Sequence, residues 1–303
     1  MIRGVRQGQD TDYIQPGRNF FRFHAGLLVL MVSMLLLLSG CPPQVPPEME
    51  LPVPVGEITT EKVSQLINQR AERFQSLLGI GKVRIWSWEE HYKFSEAFVL
   101  EPPDRFRLET LGFLDQPTIF LTSDGTTLSL YTKKHNTEYR GVASRENLFK
   151  LSGINLSVED MILVFSGSPP RLSPINSEWG FPLAENQLYY LERIATARNT
   201  IQRIWFDTSR QTISHFREYM LTNGELLLAV TFEDYLAEQG AYPIPGRILI
   251  DRPLDRTQVE IVYTSLDVNR LIEDQTVFRF MPPSNARTLF IDDTSAEQLE
   301  RLA

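Results

Sequence analysis

Short segments with strand-like alternation fill most of this chain after Gly81, and they restrict its fold more than any other feature. Apolar residues alternate with polar or charged ones, as in Phe106/Leu108 and Leu128/Leu130. This period of two is typical of strands that bury one face of a sheet. Pro, Gly, Asp or Asn bounds each segment. The predicted strands cover residues 82–89, 93–101, 105–110, 117–123, 127–132, 137–142, 187–196, 200–207, 211–221, 225–235, 245–252, 257–266 and 277–281.

Three segments show helical features instead. The first begins near Thr59 and carries apolar residues at three- and four-residue steps as far as Gly79, which predicts an amphipathic helix of about 20 residues. Two shorter segments, 144–151 and 157–165, each open with a serine cap and an acidic residue two positions later. Residues 166–182, rich in Pro, Ser and Gly, are predicted to form a long surface loop.

The N-terminal region contains an apolar run at 25–38. Its roughly 14 residues are fewer than the about 20 that a membrane-spanning helix needs, which favours a cleaved signal peptide. The run ends in Leu38-Ser39-Gly40-Cys41, which resembles the lipobox of bacterial lipoproteins. That resemblance implies diacylglycerol on the Cys41 thiol and cleavage just before it. The alternative is a buried free cysteine after a hydrophobic anchor helix.

Cys41 is the only cysteine in the chain. Acylation with a diacylglycerol and an N-linked chain would leave no free thiol, and three acyl chains should anchor the protein permanently. We expect no other cofactor. The leader from Met1 to Gly17 is longer than a signal peptide requires, and we interpret it as the result of an upstream start codon chosen in error.

Six prolines follow the cysteine between Pro42 and Pro54. Proline-rich chain favours extended geometry at about 3.1 Å per residue, so 42–56 could hold the domain up to roughly 45 Å from the bilayer. An inert leader with no spacing role is the open alternative. With no linker after Gly56, we expect a single domain of about 245 residues.

The charge of the mature chain argues against a nucleic-acid partner. Removing 1–40 takes away four arginines and two aspartates, which leaves 26 basic and 36 acidic residues and a net charge of −10. Such a surface has no long-range attraction to acidic phospholipids. Membrane contact must therefore come from the anchor or from specific apolar residues.

Three motifs carry a resemblance to the LolA/LolB-like lipoprotein carriers. They are Pro103-Asp104-Arg105-Phe106-Arg107-Leu108-Glu109, Ser123-Asp124-Gly125-Thr126-Thr127-Leu128 followed by Tyr131, and Val277-Phe278-Arg279-Phe280-Met281-Pro282, similar to the closing strand of that family. The resemblance implies a mainly β (α+β) fold: an open, strongly curved antiparallel half-barrel of about eleven strands, with helices lidding the concave face. That face would bind acyl chains. We assign to its groove Phe106, Leu108, Ile119, Leu121, Leu128 and Leu130.

The lipoprotein anchor makes the chain more similar to LolB, the membrane-attached acceptor, than to LolA, the soluble carrier. LolA-like carriers have a lid-fastening arginine immediately before the strand proline, where this chain has Pro102. LolB exposes a leucine toward the membrane in the turn after the third strand, and Phe113 and Leu114 occupy that turn here. The alternative is that both pack onto the sheet edge.

Catalytic motifs and metal-ligand spacings are lacking in the sequence, since the four histidines lie far apart and no serine lies in a G-x-S-x-G motif. We therefore predict a monomeric, non-enzymatic lipoprotein on the periplasmic face of a Gram-negative outer membrane, a location that Pro42 after the cysteine favours. Its predicted cargo is lipoprotein or lipid, delivered by a LolA-like carrier. The open alternatives are an envelope scaffold or sensor, and an undetected hydrolase.

The predicted domain boundaries follow from these segments. They are a signal peptide at 1–40, the lipidated cysteine and tether at 41–57, the half-barrel domain at 58–283 and a C-terminal tail at 284–303.

The anchor assignment predicts the outcome of Cys41→Ser. A serine hydroxyl does not accept the diacylglycerol, so the product should stay in the inner membrane as an uncleaved precursor. Membrane fractionation and intact-mass measurement check this result, and normally processed protein in the membrane fraction would refute the assignment.

Overall fold

The computed structural model of the protein describes residues 58–88, 90–183, 187–236 and 243–292. The chain divides into two compact units, Met1–Leu51 and Pro52–Ala303, and every described residue belongs to the second. Cys41, the signal peptide, the tether as far as Glu57 and the tail beyond Asp292 lie outside the described residues.

Among the described residues, the second unit contains fourteen strands and three helices. The helices are α1 (Thr60–Arg73), α2 (Arg145–Ser152) and α3 (Val158–Phe165). The strands are β1 (Leu77–Trp86), β2 (His91–Glu101), β3 (Arg105–Leu111), β4 (Pro117–Asp124), β5 (Thr127–Thr132), β6 (Thr137–Val142), β7 (Ser177–Pro182), β8 (Leu188–Ala195), β9 (Thr200–Asp207), β10 (Thr212–Met220), β11 (Leu226–Leu236), β12 (Ile244–Arg252), β13 (Thr257–Val268) and β14 (Arg287–Phe290). Among the described helices, none is long and apolar enough to span a bilayer.

All fourteen strands belong to one curved, open sheet, in the order β14-β6-β5-β4-β3-β2-β1-β13-β12-β11-β10-β9-β8-β7. Neighbours are antiparallel, except that β14 runs parallel to β6. Within the described chain the end strands β14 and β7 are not paired with each other, so the sheet does not close into a barrel. The predicted fold class is confirmed.

The two faces of the sheet differ in their side chains. The inner face carries Phe98, Phe106 and Leu121, which belong to one core cluster with Val63 of α1 and Ile162 of α3. Side chains alternate across a strand, so the intervening residues point to the opposite, outer face. The hydrophobic face predicted from the alternation is therefore the face that the helices cover.

Three predicted boundaries are wrong. Helix α1 ends at Arg73, and Leu77 and Gly79 lie in β1, because their backbones pair with β2 and β13. Strand β7 lies inside the predicted loop and pairs with β8. Residues 277–281 are not a strand; a 3₁₀ turn at Gln275–Phe278 begins this segment, which we call the outer strap (275–281).

The outer strap crosses the outer face of β3, β4 and β5. Arg107 Nη1 donates to Val277 O at 3.0 Å, and Arg279 Nε donates to Asp124 Oδ2 at 2.9 Å. The Phe280 ring stacks on Tyr131, with the centroids 4.6 Å apart. The three motifs that resemble those of the LolA/LolB-like carriers thus meet at one place, and their polar residues fix the strap to the sheet.

The turn between β4 and β5 is built by the same motif. Gly125 has a φ of 90°, a conformation that glycine adopts at no steric cost. Asp124 Oδ1 accepts hydrogen bonds from the backbone N–H groups of Thr126 and Thr127. Partial burial opposes ionisation of Asp124, but these bonds and the Arg279 ion pair lower the pKa of its carboxyl below the usual value. Asp124 therefore supports both the turn and the strap.

Strand β14 follows the strap and lies within the predicted tail. Its four residues pair with β6, and Asp292 Oδ1 accepts hydrogen bonds from Asn147 Nδ2 and the Val142 backbone N–H. Part of the predicted tail is therefore an edge strand that also contacts α2.

The contacts of the outer strap predict different losses in the free energy of unfolding for two neighbouring substitutions. Phe278 is 1% exposed, so Phe278→Ala should lower the free energy of unfolding by about 3 kcal/mol through the cavity that it leaves. Arg279→Ala breaks an ion pair whose arginine side chain is 69% exposed and should cost less than about 1 kcal/mol. Urea unfolding of both variants measures this, and equal small losses would show that the strap does not stabilise the sheet.

Candidate functional site

The inner face of β3, β4 and β5 brings together the predicted groove residues. Leu108 lies opposite Leu121, which lies opposite Leu130 on the next strand. Four of the six predicted residues are buried, Leu130 is half-buried, and Ile119 at the rim is 37% exposed. The buried four are Phe106, Leu108, Leu121 and Leu128.

Helix α3 packs on the inner face of the same sheet, where the Phe165 ring contacts Phe98 of β2 and Phe165 O accepts a hydrogen bond from the Tyr263 hydroxyl of β13. Its sequence, VEDMILVF, is apolar on nearly all sides, and every residue except Glu159 is buried. A helix that is hydrophobic all round belongs in a protein interior, and α3 shares one core cluster with the groove residues. The inner face is therefore packed with the protein's own side chains, and neither of two described cavities of about 250 Å³ is lined by a predicted groove residue.

The C-terminal end of α3 is attached by buried polar contacts. Arg70 of α1, 5% exposed, donates from Nε to Gly167 O and from Nη2 to Ser166 O, both at 3.2 Å. It also donates to Pro243 O at 2.6 Å. The Tyr263 hydroxyl donates to Phe165 O at 3.1 Å. One arginine and one tyrosine thus connect the end of α3 to α1 and the sheet.

Gly167 makes the approach of Arg70 possible. Its φ is 83°, and a Cβ there would lie 2.6 Å from Pro245 Cδ and 2.9 Å from Arg70 Nη2. Both the conformation and the space favour glycine.

Sequence reasoning missed Arg70. The resemblance places a lid-fastening arginine before the strand proline, where this chain has Pro102. A signal was nevertheless present, because Arg70 continues the buried stripe of Val63 and Ile67 at helical spacing. A charged residue on such a stripe requires buried acceptors, and the carbonyl groups beyond α3 provide them.

Glu96 is a carboxyl group within the apolar inner face. It lies opposite Gly81 on one side and Thr110 on the other, and it is 6% exposed. Its Oε2 makes no hydrogen bond to any described residue. Burial, with a smaller contribution from the Glu109 carboxylate, raises the pKa of Glu96 to about 8, against the opposing hydrogen bond of Thr110. Glu96 is therefore protonated at neutral pH.

The turn between β3 and β4 exposes both predicted membrane-contact residues. Phe113 is 86% exposed and Leu114 is 74% exposed. The Gly112 backbone N–H donates to Gln116 O and the Gln116 N–H donates to Phe113 O, which closes the turn. Leu114 adopts a φ of 57°, which is unusual for a branched apolar residue. The alternative that both side chains pack onto the sheet edge is wrong.

Among the described residues, no group of three His, Cys, Asp or Glu side chains is placed to hold a metal ion. His215 lies on the outer face against the Trp205 ring. Burial and the nearby Arg217 lower its pKa to about 4, so it stays neutral at physiological pH.

Solved structures share this fold. An outer membrane lipoprotein-sorting protein domain from Vibrio parahaemolyticus superposes with a TM-score of 0.52 at 16% identity, covering 72% of this chain and 95% of that domain. A DUF1329 family protein from Desulfovibrio piger gives 0.53 at 12% identity, covering 73% and 98%. A LolA superfamily protein from Nitrosomonas europaea gives 0.49 at 11% identity, covering 74% and 99%.

The first two similarities show that this chain shares the fold of those two proteins. No protein-family model matches the sequence, and no curated protein matches it either.

Glu96→Gln should stabilise the protein in a pH-dependent manner. Because the folded-state pKa of about 8 lies above the ordinary 4.5, the proton's contribution to stability is fully present below pH 4.5 and lost as the pH rises through 8. The gain in melting temperature from Glu96→Gln should therefore be small below pH 4.5 and largest above about pH 8. Thermal unfolding across this range measures it, with the exposed Glu90→Gln as control; a gain independent of pH would contradict the assignment.

Proposed function

We propose that this protein is a lipid-anchored lipoprotein that faces the periplasm, binds acyl chains on the inner face of its sheet, and accepts or inserts lipoproteins or lipids at the outer membrane. One observation carries the proposal: the apolar inner face packs against α3, a short, mostly apolar helix with seven of its eight residues buried. Such a helix occupies the volume that an acyl chain would fill. It can act as a lid rather than as a permanent layer.

The energetics favour exchange between α3 and an acyl chain. Each methylene group withdrawn from water contributes roughly 0.8 kcal/mol, so a long chain binds without any charged contact. In the closed state Phe165 contacts Phe98, with ring centroids 5.9 Å apart, and comparable apolar surface would contact the ligand. Opening then requires the loss of the polar contacts that Arg70 and Tyr263 make at one end of α3, and of those that Glu159 and Asp160 make with Arg171 at the other.

The anchor and the exposed turn support a LolB-like role. Acylation of Cys41 would hold the domain at a membrane, and its three acyl chains would make that attachment permanent. Phe113 and Leu114 project into solvent, where they would meet hydrocarbon only at a bilayer. We propose that a soluble LolA-like carrier delivers the cargo to a monomer of this protein, and that the protein has no enzymatic activity.

A second candidate function follows from the packing of the inner face. Because α3 already fills the groove, the same fold could serve as an envelope scaffold or sensor that binds a protein partner and never opens. The two candidates differ in whether α3 leaves the inner face.

Tyr263→Phe tests whether α3 opens for ligand. The substitution removes one hydrogen bond to Phe165 O, worth about 1 kcal/mol, and keeps the buried ring. If opening limits uptake, an acyl-chain fluorophore should enter about fivefold faster. Stopped-flow fluorescence on soluble protein that begins at Pro42 measures the rate, and competition with fatty acid establishes the site.

The control is Tyr131→Phe. Tyr131 also loses one hydroxyl bond, to Asn136 Oδ1, but it lies on the outer face and should leave uptake unchanged. If wild-type protein with a verified fold binds no fluorophore, the scaffold candidate is favoured.

A further inference from the structure

Three aromatic side chains are exposed at the hairpin formed by β1 and β2. Trp88 is 74% exposed, Tyr92 50% and Trp86 37%. They belong to neither hydrophobic cluster of the described chain, and the acyl-binding face does not require them. Moving a large aromatic ring out of water lowers the free energy, so the exposure of three such rings at one tip indicates contact with another phase or molecule.

This tip lies at the same edge of the sheet as the turn that carries Phe113 and Leu114. The order β6-β5-β4-β3-β2-β1-β13-β12 places four antiparallel hairpins side by side, with all four turns at one edge. We call it the turn edge. Its hairpins close at the pairs Thr132/Thr137, Leu111/Pro117, Trp86/His91 and Arg252/Thr257.

The β1–β2 hairpin is the longer of the two central hairpins. Leu111, the last residue of β3, pairs with Ser95, whereas β2 begins at His91. Four residues at about 3.3 Å each extend the hairpin roughly 13 Å past the end of β3. A flat surface that touches Phe113 and Leu114 must therefore also meet the β1–β2 tip.

The charges at the turn edge differ from those of the whole chain. The formal net charge of the chain is −8, yet exposed basic residues outnumber acidic ones here. The Arg256 guanidinium lies over the Trp88 ring, 4.6 Å from its centroid. The exposed basic residues are Lys93, Lys133, Lys134 and Arg256; the exposed acidic ones are Glu90 and Asp115, and the sequence adds Glu89.

We infer that the β1–β2 hairpin is a second membrane-contact element, whose Trp86, Trp88 and Tyr92 enter the headgroup region of a bilayer that contains anionic phospholipid. Tryptophan and tyrosine favour that region because one part of each ring is apolar and another is polar. The flanking lysines and Arg256 complement anionic headgroups. The inference rests on the proposed function, since the bilayer contact of Phe113 and Leu114 selects this edge.

Tryptophan quenching tests the inference on the acylated full-length mature protein in vesicles. The chain has four tryptophans, of which Trp86 and Trp88 lie at the tip and Trp179 and Trp205 lie on the outer face of β7 and β9. Phospholipids with brominated acyl chains should quench part of the emission. Trp88→Phe should lose most of that quenching, whereas Trp179→Phe should increase the quenched fraction.

Two results would overturn the inference. One is wild-type emission that brominated lipid does not quench, which would leave the tip free to bind a protein. The other is equal quenching in Trp88→Phe, Trp86→Phe and wild type, which would place the contact elsewhere. Circular dichroism confirms folding, and both substitutions keep an aromatic ring at an exposed site.

The headgroup contribution has its own test. Adding phosphatidylglycerol to phosphatidylcholine vesicles should increase the quenching of wild type, and the double variant Lys133→Glu with Lys134→Glu should lose this increase. Arg210→Glu, in the turn between β9 and β10 at the opposite edge, is the matched control and should keep it. Equal responses of both variants would remove the anionic-lipid part of the inference.

The outcomes separate this inference from the proposed function. Quenching at Trp88 together with no binding of an acyl-chain fluorophore would support the membrane contact and reject acyl binding. Normal acyl binding, with slow release to vesicles in Leu114→Glu but no quenching at Trp88, would keep the proposed function and reject the hairpin contact.

Discussion

The structure depends on one requirement, which is that a large curved sheet with a single apolar face must keep that face out of water. Fourteen strands contribute to the sheet, and no second sheet lies over it in the described chain. Three helices supply the cover, and α3 supplies its most apolar part. Because seven of the eight residues of α3 are buried, its position depends on burial together with polar contacts, which Arg70 and Tyr263 make at its C-terminal end and Asp160 makes near its N-terminal end. The same helix that completes the core is thus the element whose movement would expose it.

Most of the sheet could be predicted from alternation, because one-sided burial imposes a period of two on each strand. The misses have physical causes. Trp179 and Phe181 alternate correctly in β7, but the prolines and glycines around them indicated a loop. Residues 277–281 alternate as well, yet their aromatic rings pack across the outer face rather than within a ladder. Arg70 acts through carbonyl groups nearly a hundred residues away, which local spacing does not reveal.

The candidate site, like the fold, could be predicted from the sequence only in part. The sequence could place the predicted groove residues on one apolar face and Phe113 and Leu114 in a turn, because strand period and turn position are local properties. The state of the groove was not predictable, since it depends on whether α3 packs into it. The polar residues of the motifs that carried the family resemblance serve the outer strap and its turn, whereas Phe106, Leu108 and Leu128 of the same motifs lie on the apolar inner face, so the motifs report the fold and do not identify the ligand. The function therefore rests on the inner face and the turn edge.

The central claim is that the inner face holds acyl chains, and the most direct measurement is mass spectrometry of the lipids that accompany the protein. Soluble protein that begins at Pro42, exported to the periplasm of the producing cells behind a cleavable signal peptide and purified without detergent, should carry phospholipid or acylated peptide in stoichiometric amounts. A variant in which polar residues replace Leu121 and Leu128 should carry much less. Protein that is folded yet free of lipid, with α3 protected from hydrogen exchange as strongly as the central strands, would contradict the account.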